Sequence, residues 1–369
     1  MSRMDKPERQ SNIELLRIAL MIMIITHHVI VHGLGLANIG RRSFHFDNLT
    51  YWAIAANCIV VVAVNVFVFI SGYFGIKFRL RTLFSLFFQA ASYSFLLFVL
   101  FATINPSIWN ATNVVNSLLP ISRNMWWFIS TYIGLYILSP ILNSGVQSLD
   151  RRQFKLIMVG LLFINCFSGF FFGTISEKGY SIFNFIVIYL IGRYVRQYSI
   201  SFKSPLAFFI AISSVIFCLT MLLLHYQKQS TVVWLFAYNN PLLIISSISF
   251  FFIFKNLDIR YSRRINVAAS TVLGVYMIHE YSSIRCILVA WVSSLKATYG
   301  DSEVLFAGAI GLLVLSIFVT GAIIELIRKQ VSEALIERIT SRLKNSSKAQ
   351  HLIVFARSRF SPQGKGVGQ

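Results

Sequence analysis

Stretches of about 20 predominantly apolar residues, each closed by a short polar segment, follow one another along nearly the whole chain, and each is long enough to cross a bilayer as an α-helix. A backbone inside hydrocarbon must satisfy its own N–H and C=O groups, so a chain patterned this way folds as a helical bundle in the membrane. Composition agrees, since 12% of the residues are charged where a soluble domain carries about 25%. Spans are expected near 13–33, 50–75, 83–104, 125–146, 154–173, 180–198, 204–224, 231–254, 267–292 and 304–327. The expected fold is therefore an all-α polytopic bundle of about ten transmembrane helices, with both termini on one side. With the N-terminus in the cytoplasm, 25 of the 33 basic residues fall in inner segments and six in outer ones, leaving Arg17 and Arg285 within spans. That bias, repeated from loop to loop, is the positive-inside pattern and makes both termini cytoplasmic.

The net charge of +20 is accordingly a record of orientation, and no nucleic-acid partner is expected. Cys58, Cys166, Cys218 and Cys286 lie in apolar stretches without the short spacing of a metal site or a disulfide framework. Residues 1–12 form a polar cytoplasmic segment that leads into the first span without a small-residue cleavage site. Residues 13–327 form the transmembrane domain, and 328–369 a cytoplasmic tail. In the tail Val331, Leu335, Ile339 and Leu343 recur every four residues beside Arg338, Arg342 and Lys344, a basic amphipathic helix suited to the anionic inner leaflet. The connections are short, so any chemistry falls to the bundle and its loops.

Ionisable groups at membrane depth are costly and mark candidate sites. The first span carries Glu14, Arg17, His27, His28 and His32. Arg17 and His28 are about three helical turns apart on one face, roughly 16 Å along the axis, while His27 points about 100° away. His28 reads either as a histidine hydrogen-bonded in the core or as a proton-transfer group. His28 and His32 are spaced to share a metal, but no carboxylate accompanies them in this segment, so no metal site is expected. A second set, Ser270, Gly274, Tyr276, His279 and Glu280, lies in STVLGVYMIHE of the ninth span; it serves either to join helices or to hydrogen-bond a carboxylate or sugar hydroxyl. Lys77, Arg79 and Arg81 follow FVFISGYFG directly, either as plain inner-side charge or as an anion-binding mouth. Trp126, Trp127 and Tyr132 read as an interfacial aromatic belt or as surfaces for stacking a sugar. Glu325 is expected to pair with Arg328.

Four of these segments, in order, resemble the membrane-bound acyltransferase-3 family, the integral-membrane O-acyltransferases of bacterial surface sugars. ELLRIALMIMIITHH matches the family's Arg, ten residues, His signature, and NVFVFISGYF resembles its Phe-Phe-x-x-Ser-Gly-Phe block. MWWFISTYIGLYILSPILN and STVLGVYMIHE resemble its Trp-Phe and late Tyr-x-x-His segments. The resemblance covers roughly residues 11–330 and implies that His28 is the catalytic histidine and Arg17 its essential partner. The family's Arg-x-x-Arg element after the second span is absent, and Lys77, Arg79 and Arg81 stand there instead. No segment resembles the fused extracytoplasmic hydrolase-like domain of some members, so no acyl relay to a second domain is expected.

The implied activity is O-acetyl transfer, an acyltransferase reaction on groups other than aminoacyl. Acetyl-CoA is the donor substrate, no cofactor is tightly bound, and the acceptor is a hydroxyl of a cell-surface glycan or its lipid-linked precursor. Lys77, Arg79 and Arg81 would hold the donor phosphates as charge-assisted hydrogen bonds, and His28 would act as general base. Trp127, Tyr132, Tyr276, His279 and Glu280 are candidates for acceptor binding or structural polar roles. The implied setting is a multi-pass protein of the bacterial inner membrane, in contact with its lipids. The alternatives are an acyltransferase for a small metabolite or lipid, and a proton-coupled transporter with His28, His279 and Glu280 on its path.

Overall fold

A computed structural model describes residues 10–345 apart from 42, 43, 45 and 173–176, and describes 170, 171, 177 and 332–345 by their backbone alone. In chain order the α-helices are α1 Ser11–His28, α2 Asn48–Val60, α3 Ala63–Phe74, α4 Leu80–Ile104, α5 Ala111–Leu118, α6 Trp127–Ser148, α7 Arg151–Phe163, α8 Ile182–Gln197, α9 Pro205–His225, α10 Gln229–Leu235, α11 Pro241–Lys255, α12 Arg263–Ala269, α13 Val272–His279, α14 Ser282–Tyr299 and α15 Glu303–Asn345. The described residues contain no β-strand, as the hydrophobic pattern requires.

Six helical stretches are long and apolar enough to cross a membrane: 11–33, 48–74, 80–104, 127–148, 205–225 and 303–331. A seventh is counted if 263–299 is one span. The expected count of ten is thus not reproduced by length and apolarity, and the remaining expected segments differ in build. The sixth, α8, is 16 residues long, about 24 Å at 1.5 Å per residue. The eighth is interrupted between α10 and α11, where Pro241 opens the second piece and Asn240 accepts a hydrogen bond from Leu242 N–H. The ninth is not one continuous helix, because α13 and α14 meet at 85° across Glu280 and Tyr281. Neither Pro nor Gly marks that break. It is made by an extended Tyr281 and by the pairing of Glu280 with Arg285 in the first turn of α14.

The first helix is the hub, packing against α2, α3, α11, α12, α13 and α15, with Leu16, Leu20, Ile25 and Val29 wholly buried. Around it α3 and α8 cross almost backbone to backbone. A Cβ on Gly72 would run into the Tyr189 carbonyl, and one on Gly192 would come within 2.7 Å of Phe69 O, so glycine is required on both sides of the crossing. Large apolar side chains on α9 and α15 point outward, among them Phe208, Ile210, Leu312, Val319 and Ile323, as lipid-facing surfaces do. Outside the spans, Asp47 caps α2 and pairs with Lys296 at 2.8 Å. Partial burial works against its charge, but hydrogen bonds from Lys296 and Thr50 outweigh it and hold the carboxyl down at about 2.

The last helix runs on without a break through Asn345, so no helix end separates the span from the expected tail at 328. The apolar and basic faces expected at Leu335, Arg338, Ile339, Arg342, Leu343 and Lys344 lie outside the described side chains. Residues 1–9, with Arg3, Lys6 and Arg9, are likewise outside the description.

Candidate active site

The α-helix of the first span ends at His28, and residues Val29–Gly33 continue it as a wider π-helical turn, a distortion that recurs at functional sites. The 85° break presents the end of α13 to this turn. His28 Nδ1 lies 2.9 Å from His279 Nε2 and 3.1 Å from Glu280 Oε2. His32 Nε2 is 3.9 Å from Glu280 Oε1, and Arg285 donates to the same oxygen at 2.9 Å. His27 turns aside to Asn57, with Nδ1 2.7 Å from Oδ1, as its 100° offset predicts.

The protons of this cluster follow from the chemistry of the partners. His279 Nδ1 faces the Val275 carbonyl at 2.7 Å; a carbonyl only accepts, so Nδ1 carries the hydrogen. A neutral His279 then offers a lone pair at Nε2, and His28 must meet it with Nδ1–H. With Nδ1–H donating to His279 and the Glu280 carboxylate beside it, a neutral His28 bears its lone pair on Nε2. A histidine held in this tautomer is set to accept a proton at Nε2.

His28 lines a narrow cleft of about 20 Å³ with His27, Val64, Trp127, Tyr238 and Tyr276. Below it is a larger cavity of about 220 Å³, lined by Arg17, Ser71, Thr82, Tyr132, Tyr136 and Tyr276. Ile24, Phe128 and Tyr276 belong to both linings and form the wall between them. Within the cavity Ser71 and Tyr132 share a hydrogen bond of 3.2 Å, while Arg17 Nε is buried without a partner. Tyr132 thus stands with Arg17, and Trp127 stands with His28.

Lys77 and Arg79 lie exposed on the linker from α3 to α4, with Arg81 exposed at the start of α4. The linker is fixed through its backbone. Tyr136, a wall of the Arg17 cavity, accepts from Arg79 N–H at 2.8 Å. Tyr189 accepts from Ile76 N–H at 3.1 Å, and Asn143 donates to Ile76 O at 2.9 Å. The basic linker and the cavity are consequently joined through one tyrosine. Arg193 packs over Gly75 with its Nε buried and unpartnered, and Arg196 lies over Tyr73 and donates to its hydroxyl at 3.3 Å. These two arginines of α8 supply, from across the Gly72–Gly192 crossing, an Arg-x-x-Arg spacing that the linker lacks.

The other members of the late segment serve elsewhere. Ser270 is held by Lys329, whose Nζ donates to its carbonyl at 2.6 Å and its hydroxyl at 2.9 Å. Gly274 packs against Glu325, which pairs with Arg328 at 2.7 and 2.8 Å as expected. Gln89 at 3.0 Å and Tyr93 at 2.6 Å also donate to the Glu325 carboxylate, tying α4 to α15 beside α13. Tyr238 and Tyr180 escaped the sequence reading. Tyr238 stacks on Trp127 with ring centroids 5.7 Å apart, and Tyr180 lies 4.6 Å from Trp127. The signal for Tyr238 was the polar interruption Tyr-Asn-Asn-Pro inside an apolar span.

His28, His279 and Glu280 each present a possible ligand atom, all within 4.8 Å of one another. The carboxylate that the first span does not place near His28 is thus supplied by the ninth, which spacing within one segment could not reveal. Arg285, 2.9 Å from the same carboxylate, already supplies a positive charge there and opposes a cation.

No curated protein and no solved structure matches the chain significantly. A family model described as an acyltransferase domain matches residues 10–325, a stretch that contains Arg17, the basic linker, both cavities and the His28 cluster. The chain therefore belongs to the acyltransferase-3 family of multi-pass membrane acyltransferases.

Proposed function

We propose that the protein transfers an acetyl group from acetyl-CoA to a hydroxyl of a cell-surface glycan or its lipid-linked precursor, in the inner membrane of a bacterium, with His28 as general base. The observation that carries this reading is the approach of His28 Nδ1 to His279 Nε2 and to the Glu280 carboxylate, beside a cleft that shares a wall with the Arg17 cavity. In the proposed orientation the chain crosses ten times, both termini are cytoplasmic, and the basic linker faces the compartment where acetyl-CoA is made. Lys77, Arg79, Arg81, Arg193 and Arg196 hold the donor phosphates. The pantetheine arm passes Tyr136 and Arg17 and brings the thioester to the wall between the cavities. The acceptor reaches His28 along Trp127, Tyr180 and Tyr238, whose faces suit sugar stacking.

The direct test is transfer of labelled acetyl from acetyl-CoA by purified protein in liposomes, with cell-envelope glycan, phospholipid and small alcohols offered in parallel. Label entering glycan as base-labile acetyl supports the reading; label in none of them overturns it. The double variant Arg79→Ala, Arg81→Ala is expected to raise the donor KM about 10-fold and leave the acceptor KM within twofold, since each charge-assisted hydrogen bond is worth roughly 1.5–3 kcal/mol before solvent screening. An unchanged donor KM would return both residues to topology alone. Because the Arg285 charge opposes a cation at Glu280, treatment with 1,10-phenanthroline or EDTA is expected to leave the rate within twofold. A rate lost to chelation and restored by zinc would make the cluster a metal centre.

A further inference from the structure

Four tyrosine hydroxyls among the described residues of this bundle have clear hydrogen-bond partners. Tyr93 donates to Glu325 at 2.6 Å, Tyr132 shares its hydrogen bond with Ser71, Tyr136 accepts from Arg79 N–H, and Tyr189 donates to Asn143 at 2.7 Å. Tyr276 differs from these four. It is 5% exposed, its buried hydroxyl makes no well-formed hydrogen bond and faces the Phe128 N–H at the start of α6, and it belongs to the wall between the two cavities. Its ring centre lies 6.4 Å from that of His28. A buried hydroxyl without a partner costs free energy, so a merely structural tyrosine at this place would be better as phenylalanine.

A second set of donors converges there. Helix α6 begins at Trp127, and Trp127 and Phe128 both line the His28 cleft. The first-turn N–H groups of a helix have no partner within it, and the N-cap, Trp126, provides no side-chain hydrogen bond to them. The 22-residue helix thus opens on the cleft with its partially positive end. Phe128 also packs edge to face on Tyr276, with ring centres 5.8 Å apart.

We infer that the Tyr276 hydroxyl and the uncapped N-terminus of α6 form the oxyanion site of the transfer reaction; this rests on the acyl-transfer reading above. His28 Nε2 takes the proton of the acceptor hydroxyl, and the acceptor oxygen bonds to the thioester carbonyl carbon. The carbonyl π pair moves onto its oxygen, where Tyr276 O–H and the first-turn amides of α6 meet the charge. As the pair returns, the C–S bond breaks and the thiolate leaves with the proton from His28. Donors of this kind act on charge that exists only in the transition state.

The test is single-turnover acetyl transfer by full-length protein in liposomes, with the donor Kd measured separately. Tyr276→Phe is expected to slow the chemical step about 10²-fold and leave the donor Kd within twofold. A single-turnover rate within twofold of wild type overturns the inference, and so does a loss that appears in Kd alone. Incorporation of 3-fluorotyrosine at position 276 keeps the shape and strengthens the hydroxyl as a donor, which guards against misfolding of the phenylalanine variant. Its single-turnover rate is expected to rise at least twofold, and an unchanged rate overturns the assignment. If wild-type protein transfers no acetyl, the acyl-transfer reading itself has failed. If wild type transfers and Tyr276→Phe transfers equally well, the oxyanion assignment alone has failed.

Discussion

Replacing His28 by alanine is expected to lower acetyl transfer by about 10²–10⁴-fold, the range for loss of a general base, while the donor still binds at the basic linker. His28 Nδ1 faces the Glu280 carboxylate at 3.1 Å, a charge that stabilises the imidazolium formed when Nε2 takes a proton. His279 is committed at Nδ1 to Val275 O and at Nε2 to His28. His27 also lines the cleft, but its Nδ1 faces the neutral Asn57 amide where His28 faces a carboxylate, so His27→Ala is expected to cost less. Glu280→Gln keeps the shape but removes the charge that faces His28 Nδ1 at 3.1 Å, and its loss should lie between those two. Single-turnover kinetics with labelled acetyl-CoA decide the order. Full activity in His28→Ala would end the general-base assignment and leave the transporter reading to be tested with proton flux.

The largest stability effect is expected at Glu325. Its carboxylate is fully buried and is met by Gln89, Tyr93 and both nitrogens of Arg328 that face it. Glu325→Ala removes one partner and leaves the guanidinium and two other donors facing a gap, which for a buried pair costs about 3–5 kcal/mol. The measurement is unfolding in detergent by heat or denaturant. A cycle with Arg328→Ala is expected to be strongly non-additive, because either change breaks the same pair. A cost of Glu325→Ala below about 1 kcal/mol would mean that water takes the place of the carboxylate.

How much of this was legible in the sequence depends on which contacts a residue makes. The helical membrane fold followed from apolar length alone, and the pair Glu325 and Arg328 from three-residue spacing on one helix. The separation of His27 from His28 followed from helical angle. What spacing cannot give is contact between distant helices. Glu280 reaches His28 only because the chain turns 85° at a point with no glycine or proline. Arg193 reaches Gly75 only because Gly72 and Gly192 let two backbones meet. Tyr132 and Trp127, five positions apart on α6, fall in different cavities for the same reason: the wall that divides them is built from α1 and α13 as well as from α6.

That wall has an electrical consequence. Were donor and acceptor on opposite faces of the membrane, a passage wide enough for a thioester arm would also be wide enough for a file of water, and each charge driven through it would gain about 2.3 kcal/mol per 100 mV. Ile24, Phe128 and Tyr276 interrupt such a file with one layer of largely apolar side chains. Under the proposed function, a donor arm that parts them would fill the gap it makes, so that the membrane stays insulated during transfer.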